Sequence, residues 1–281
     1  MSPRTIWLNG TLVDAATARI SPFDHGFLVG DGVFETVRIY RGQPFAWRRH
    51  LERLVNSATS LGLAVPDAGG LRAATDAVLR ANRLSSARLR ITVTGGEAPL
   101  GSERGTNPPT VIVAAAEMRP WPETATVVSV PWVRNDRGAT AGLKTTSYAE
   151  NVRALAYAHE RGADEAIFPN TRDELCEATG SNVFVAHGGV LRTPPAAAGC
   201  LLGVTRALVL ELAGSLDIPV AEVALAMDTL ASADEAFLTS TTRELQPIAL
   251  VDGGALPDPP GPITSKLAAA FADLVARDLD P

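Results

Sequence analysis

Between Leu143 and Arg206 the chain sets out, in order, one amine, one carboxylate and one glycine-led helix start. The stretch opens Gly142-Leu143-Lys144-Thr145-Thr146-Ser147-Tyr148, and Ser147 with Glu150 has the spacing of a capping box, which predicts a helix just after the lysine. Val152, Leu155 and His159 fall at helical spacing, and Gly162 is placed to end that helix as a C′ residue. Glu165 to Phe168 then reads as a strand, Pro169 to Asp173 as a turn, and Glu174 to Ala178 as the returning strand with Glu177 near its end. Gly199-Cys200-Leu201-Leu202-Gly203-Val204-Thr205 precedes an apolar run to Ala213. A glycine before a helix with a hydroxyl in the first turn leaves N–H groups aimed at one spot.

Taken singly, each piece is ordinary, since lysines and strand-end glutamates are mostly solvated. Together they match what an aldehyde-bearing cofactor, pyridoxal phosphate, requires. It needs an amine whose charge the surroundings can suppress. A carboxylate at the pyridine nitrogen keeps the ring protonated and electron-withdrawing. Phosphate binds well at a helix N-terminus.

These pieces, with Trp7-Leu8-Asn9-Gly10, the run Asp24 to Arg38, His50-Leu51-Glu52-Arg53-Leu54 and the run Ser240 to Pro247, resemble the class IV, or fold-type IV, pyridoxal-phosphate enzymes. That family holds the branched-chain and D-amino acid aminotransferases, the (R)-amine transaminases and the aminodeoxychorismate lyases. The likeness runs over nearly the whole chain. It implies a two-domain α/β (α+β) fold, with a small N-terminal α/β domain and a larger β-barrel-like domain with helices. Composition places the small domain at residues 1–118, a linker at 119–123 and the large domain, carrying the lysine segment, at 124–281. The resemblance also implies pyridoxal 5′-phosphate as cofactor, Lys144 as its covalent amine and Glu177 as the partner of its ring nitrogen. Arg53, Val204, Thr205, Ser240 and Thr241 are the implied phosphate contacts. A homodimer follows in the same way, each active site being completed by the partner's small domain.

On the substrate side, Phe34, Thr36, Arg38 and Arg90 are the candidates, because guanidinium forks suit a carboxylate. D-amino acid aminotransferases place an arginine before the glycine of the loop after this strand, where Val93-Thr94-Gly95-Gly96 stands here. Thr36 matches a threonine that aminodeoxychorismate lyases use near the reacting carbon. The expected activity is transfer of an amino group from a D-amino acid or (R)-amine to a 2-oxo acid by a ping-pong cycle. The alternatives are the lyase, making 4-aminobenzoate and pyruvate, and a branched-chain L-amino acid aminotransferase.

A net charge of -6 and pI near 5.3 argue against a nucleic-acid partner. Cys176 and Cys200 read as small buried apolar residues, and His25, His50, His159 and His187 show no ligand spacing, so no metal is expected. No apolar run reaches a membrane span and Met1-Ser2-Pro3-Arg4 lacks a signal-peptide core, which points to the cytoplasm. Asn9-Gly10 predicts a hairpin, and Leu51, Leu54, Val55, Ala58 and Leu61 predict the apolar face of a helix over Arg48 to Leu61. Gly95 to Pro109 is expected to be a mobile substrate-side loop, and Phe23 to Val33 to be covered on dimerisation.

Overall fold

A computed structural model describes residues 4–281, so the Met1 to Pro3 part of the leader reading lies outside the described residues. Contacts divide the chain into two compact units. One is the chain up to Arg119 with Leu143–Tyr148 and Asp278–Pro281; the other is Pro120–Gly142 with Ala149–Arg277. Lys144 therefore belongs with the N-terminal unit, whereas sequence order places it in the second domain.

The first unit runs β1 (Thr5–Leu8), β2 (Thr11–Asp14), α1 (His25–Val29), β3 (Gly32–Tyr40), β4 (Gln43–Pro44), α2 (Trp47–Leu61), α3 (Ala68–Asn82), β5 (Ala87–Thr94) and β6 (Val111–Glu117). Its six strands form one sheet in the order β2-β1-β6-β5-β3-β4. Asn9 and Gly10 both have positive φ, 46° and 104°, the two-residue turn that matches strand twist. Alternation along β3 and β5 sends Val33, Val37, Ile39, Leu89, Ile91 and Val93 into a core with Leu54, Leu71 and Val78 of the helices. Phe34, Thr36, Arg38 and Arg90 fall on the opposite face. Helix α2 buries Trp47, His50, Leu54, Ser57 and Ala58, and leaves Val55 41% exposed. The buried stripe is thus rotated toward His50 and away from the purely apolar set.

Strand β4 pairs only with Ile39 and Tyr40, which leaves the N-terminal half of β3 with an open edge. The lysine segment fills it. The Phe34 N–H donates to the Lys144 carbonyl (3.0 Å), the Thr146 N–H donates to the Gly32 carbonyl (2.8 Å), and Thr145 lies opposite Val33. A Cβ on Gly32 would come within 2.9 Å of both Thr146 Oγ1 and the Val93 carbonyl, so only glycine admits this approach.

The second unit contains β7 (Ala125–Ser129), α4 (Ala149–His159), β8 (Glu165–Pro169), β9 (Leu175–Ala178), β10 (Asn182–His187), β11 (Val190–Thr193), α5 (Val204–Ser215), β12 (Val220–Glu222), α6 (Asp228–Ala231), β13 (Glu235–Ser240), β14 (Glu244–Val251), β15 (Gly254–Ala255) and α7 (Pro262–Arg277). Its sheet runs β12-β11-β10-β13-β14-β7-β8-β9, with β15 on β14. Strands β9 and β10 are joined by only Thr179-Gly180-Ser181, yet four strands separate them in the ladder. The sheet must therefore roll back on itself, which is the barrel-like form expected. Val127, Ile167, Val183, Leu238 and Ile248 fill one core, and Phe184, Phe237 and Leu191 pack with Val209 of α5 and Leu267 of α7 in another.

Helix α4 differs from its sequence reading at its start and on its buried face. Ser147 does not cap it; its hydroxyl donates to the Gly30 carbonyl (3.1 Å). Asn151, Ala154 and Ala158 are the buried residues and Val152 is 66% exposed, because small side chains let the helix lie close to Phe168 of β8. Gly162, at φ 73°, does end it, with the Ala163 N–H donating to the Ala158 carbonyl (2.9 Å). Among the described residues no helix is long and apolar enough to cross a membrane.

Candidate active site

In the first unit the edge pairing presents Lys144 on the open face of the sheet. Its ammonium nitrogen lies 4.5 Å from the centre of the Phe34 ring, and its backbone N–H donates to Ser57 Oγ (3.2 Å). The same ring carries the Arg90 guanidinium at 3.6 Å and meets Tyr148 edge-on at 5.2 Å. Arg90 stands opposite Thr36 across the ladder, and its Nε donates to Thr92 Oγ1 (3.1 Å). Arg38 lies over Tyr40 at 4.8 Å, and its Nη1 is buried without a hydrogen-bond partner among the described residues. Phe34, Thr36, Arg38, Arg90 and Lys144 thus share one face.

On the helix side, Glu35 is fully buried and accepts from His50 Nδ1 (2.7 Å), Arg53 Nε (2.7 Å) and Arg53 Nη2 (2.8 Å). Burial alone would raise its pKa, but the Arg53 charge and hydrogen bonds, then those of His50, hold it far below the carboxylate range. His50 is pushed down from its ordinary value, by burial first and by the Arg53 and Lys144 charges, against the upward pull of Glu35. Glu35 therefore takes the Arg53 fork from two sides and fixes the guanidinium in one orientation.

Several hydrogen bonds tie the loop expected to be mobile to residues 23–31. The His25 N–H donates to the Gly96 carbonyl (2.8 Å), the Ala98 N–H to the Phe23 carbonyl (3.1 Å), and Thr94 Oγ1 to Asp24 (2.9 Å). Arg104 donates a fork to Asp31, at 2.6 and 2.5 Å. His25, buried, has Nδ1 at 2.8 Å from Asp31 and Nε2 at 3.0 Å from the Gly101 carbonyl. Both partners only accept, so the imidazolium alone satisfies both. The Asp31 hydrogen bond raises the His25 pKa, with burial opposing. Stability from a raised histidine is complete below its unfolded value, about 6.5, and is lost as pH rises through the folded one. Amide exchange in residues 95–105, corrected for intrinsic rates, should therefore quicken as pH rises above about 6.5. A flat profile would remove His25 from this latch.

In the second unit Glu177 Oε2 accepts the Leu201 N–H (2.9 Å), and Oε1 lies 3.2 Å from Arg134 Nε. Arg134 is itself braced by Asn151 Oδ1 (3.0 Å) and by the Phe168 ring at 4.2 Å. Asn182 Nδ2 donates to the Leu201 carbonyl (2.7 Å). A Cβ on Gly203 would collide with Asn182 Oδ1, so glycine lets the start of α5 lie against that side chain. Asn182 pairs with Thr239 across β10 and β13, and Ser240 and Thr241 follow at once. Asn182 thus touches the Leu201 segment that also bonds Glu177, lies against the start of α5 at Gly203, and pairs with the strand that leads into Ser240 and Thr241.

A phosphorylated pyridine fits this donor set. Helix α5 begins at Val204 with no side-chain cap, which leaves first-turn N–H groups for an anion. The buried hydroxyls of Ser181, just before β10, and of Thr239, opposite Asn182 across the ladder, have no partner among the described residues.

Four members of these sets carry no role in the sequence reading. Glu35 had a signal, since an acid falls on the apolar alternation Val33, Val37, Ile39. His50 had one too, being one helical turn before Arg53. Arg134 and Asn182 had none of their own, because their partners come from distant strands.

The family model for amino-transferase class IV matches residues 32–251. A putative branched-chain-amino-acid aminotransferase of Methanocaldococcus jannaschii is 37% identical over 278 residues, covering 96% of this chain and 96% of its own. A D-alanine aminotransferase of Listeria innocua is 32% identical, covering 97% and 96%. Among solved structures, the branched-chain aminotransferase of the thermophilic archaeon Thermoproteus uzoniensis with norvaline superposes with a TM-score of 0.90 at 33% identity, covering 98% of this chain and 95% of that one. A second branched-chain amino acid aminotransferase, of T.th., complexed with N-(5′-phosphopyridoxyl)-L-glutamate, also superposes at 0.90, with 29% identity and the same coverage. The chain belongs to the class IV aminotransferases. It is a pyridoxal-phosphate-dependent enzyme of fold type IV.

Proposed function

We propose that this enzyme moves the amino group of a D-amino acid to a 2-oxo acid in a ping-pong cycle. The supporting observation is the open face beside Lys144, where Arg38 of β3 and Arg90 of β5 stand on the same side as Phe34, and Arg38 Nη1 is buried with no hydrogen-bond partner among the described residues. Such donors suit a substrate carboxylate, which a simple amine lacks. The 32% identity to a D-alanine aminotransferase supports the D series.

Pyridoxal phosphate, when bound, supplies the electron sink that makes a substrate Cα proton acidic. Lys144 Nζ holds the cofactor covalently between turnovers and, once released, takes that proton and returns it. Proton transfer by a positioned group is worth about 10²- to 10⁴-fold. Glu177, with Arg134 against it, presents its carboxylate to the ring nitrogen. Arg53 locked by Glu35, the Val204 and Thr205 N–H groups and the Ser240 and Thr241 hydroxyls hold the phosphate. Glu177→Gln keeps the shape and removes the charge, and should slow proton abstraction at least ~10-fold, about 1.4 kcal/mol, in single-turnover kinetics.

Given D-alanine alone, the holoenzyme should release one pyruvate per site and stop, and 2-oxoglutarate should restart it. Faster turnover of L-leucine would favour the branched-chain reading, which the Methanocaldococcus jannaschii relative supports. Continuous pyruvate release from aminodeoxychorismate without an amino acceptor would favour the lyase, whose support here is Thr36 facing the same side as Arg90.

The enzyme is further proposed to act as a cytoplasmic homodimer. Phe23, Phe27 and Val29 are 46%, 77% and 47% exposed, an apolar surface suited to a second copy. Equilibrium sedimentation should give a dimer. A fully active monomer at assay concentration would contradict this.

A further inference from the structure

We infer that the buried Glu165–Arg243 pair is a positioning device that ties the turn following Glu177 to the turn carrying Ser240 and Thr241. Glu165 opens β8 and is 2% exposed. Its Oε1 accepts from the Thr179 hydroxyl and, at 3.3 Å, from the Thr179 N–H, two residues beyond Glu177. Its Oε2 lies 3.2 Å from Arg243 Nη2. Arg243, also buried, donates its Nη1 to Gln246 Oε1, stacks on Trp121 at 3.8 Å, and its backbone N–H donates to Ser240 Oγ (3.2 Å). Gln246 is fixed in turn by the Pro122 carbonyl (2.8 Å).

The contacts run without a break from Thr179 through Glu165 and Arg243 to Ser240, across strands 78 residues apart in the chain. Apolar residues of equal volume would stabilise a barrel interior about as well, since desolvating two charges offsets most of their attraction. What apolar residues cannot do is set direction. A carboxylate with fixed acceptor sites and a guanidinium with a rigid fork hold the two turns at one spacing. That spacing is the one between the group facing the ring nitrogen and the group facing the phosphate, so the inference rests on the roles proposed for Glu177 and Thr241.

The test uses holoenzyme carrying Thr179→Val, Arg243→Lys or both, with Glu177→Gln and Thr241→Ala as controls. The readouts are the pyridoxal phosphate dissociation constant from equilibrium dialysis, the melting temperature of the cofactor-free protein, and kcat and KM separately. Thr179→Val removes the hydroxyl bond to Glu165 and leaves the ion pair and the longer backbone N–H contact, so it decides the matter if Arg243→Lys fails to fold. Each single variant should weaken cofactor binding about 10-fold or more with the amino-donor KM unchanged. The double variant should be little worse than either single one, because both cut the same chain of contacts. Unchanged cofactor affinity in Thr179→Val and Arg243→Lys, with the controls weakened, overturns the positioning role and leaves the proposed function standing. Additive effects confined to the melting temperature overturn it too, as those of plain packing residues. If the controls also bind the cofactor normally, the proposed roles of Glu177 and Thr241 fall with it.

Discussion

Lys144→Ala is expected to abolish transamination while leaving the fold intact. The Lys144 backbone completes the edge of β3 through the Phe34 N–H and is held by Ser57, and neither contact uses the side chain. Losing Nζ removes both the covalent attachment and the positioned base. The base alone accounts for a fall of about 10²- to 10⁴-fold. Steady-state rates beside a thermal melt check this. An unchanged melt with lost activity is the expected pair, and activity within about tenfold of the parent enzyme would remove Lys144 from the chemistry.

Glu35→Gln is expected to have the largest effect on stability. The amide keeps the shape but leaves the Arg53 charge, now 14% exposed, without the anion it was buried against. Breaking a buried charge pair from one side costs about 3–5 kcal/mol, on the order of 10 °C in melting temperature for a chain of this size. The pH dependence has a definite sign. A carboxylate depressed in the folded state contributes its stability above its unfolded pKa, about 4.3, and loses it as pH falls toward the folded value. The melting gap between parent and variant should hold steady above about pH 5 and close below about pH 4. A gap independent of pH would mean that Glu35 acts by shape and not by charge.

Local rules recovered local structure. Asn9-Gly10 forms the turn its residues demand, and Gly162 closes α4. What pairs over long distances was not legible. The lysine segment joins β3 because β4 is too short to cover its edge, and nothing within residues 142–148 announces a partner 110 residues earlier. Helix α4 turns a different face inward from the one its hydrophobicity favours, because close approach to Phe168 selects Ala154 and Ala158 over Val152 and Leu155. The loop after β5 has the composition of a mobile segment, and its ion pair of Arg104 with Asp31 was not legible because the two residues lie 73 positions apart. The candidate site was legible as separate motifs. The side chains that orient them, Glu35, Arg134 and Asn182, emerge only when distant strands are brought together.

The sequence contains two lysines, Lys144 and Lys266. Lys266 lies on α7 and donates its Nζ to the Leu216 carbonyl (3.0 Å) at the C-terminal end of α5. The direct measurement is borohydride reduction of the holoenzyme, then proteolysis and mass mapping of the phosphopyridoxyl group. It should be found on the peptide containing Lys144 and be absent from that containing Lys266. A stoichiometric adduct on Lys266 or on the N-terminal amine, with Lys144 unmodified, would contradict the assignment on which the proposed reaction rests.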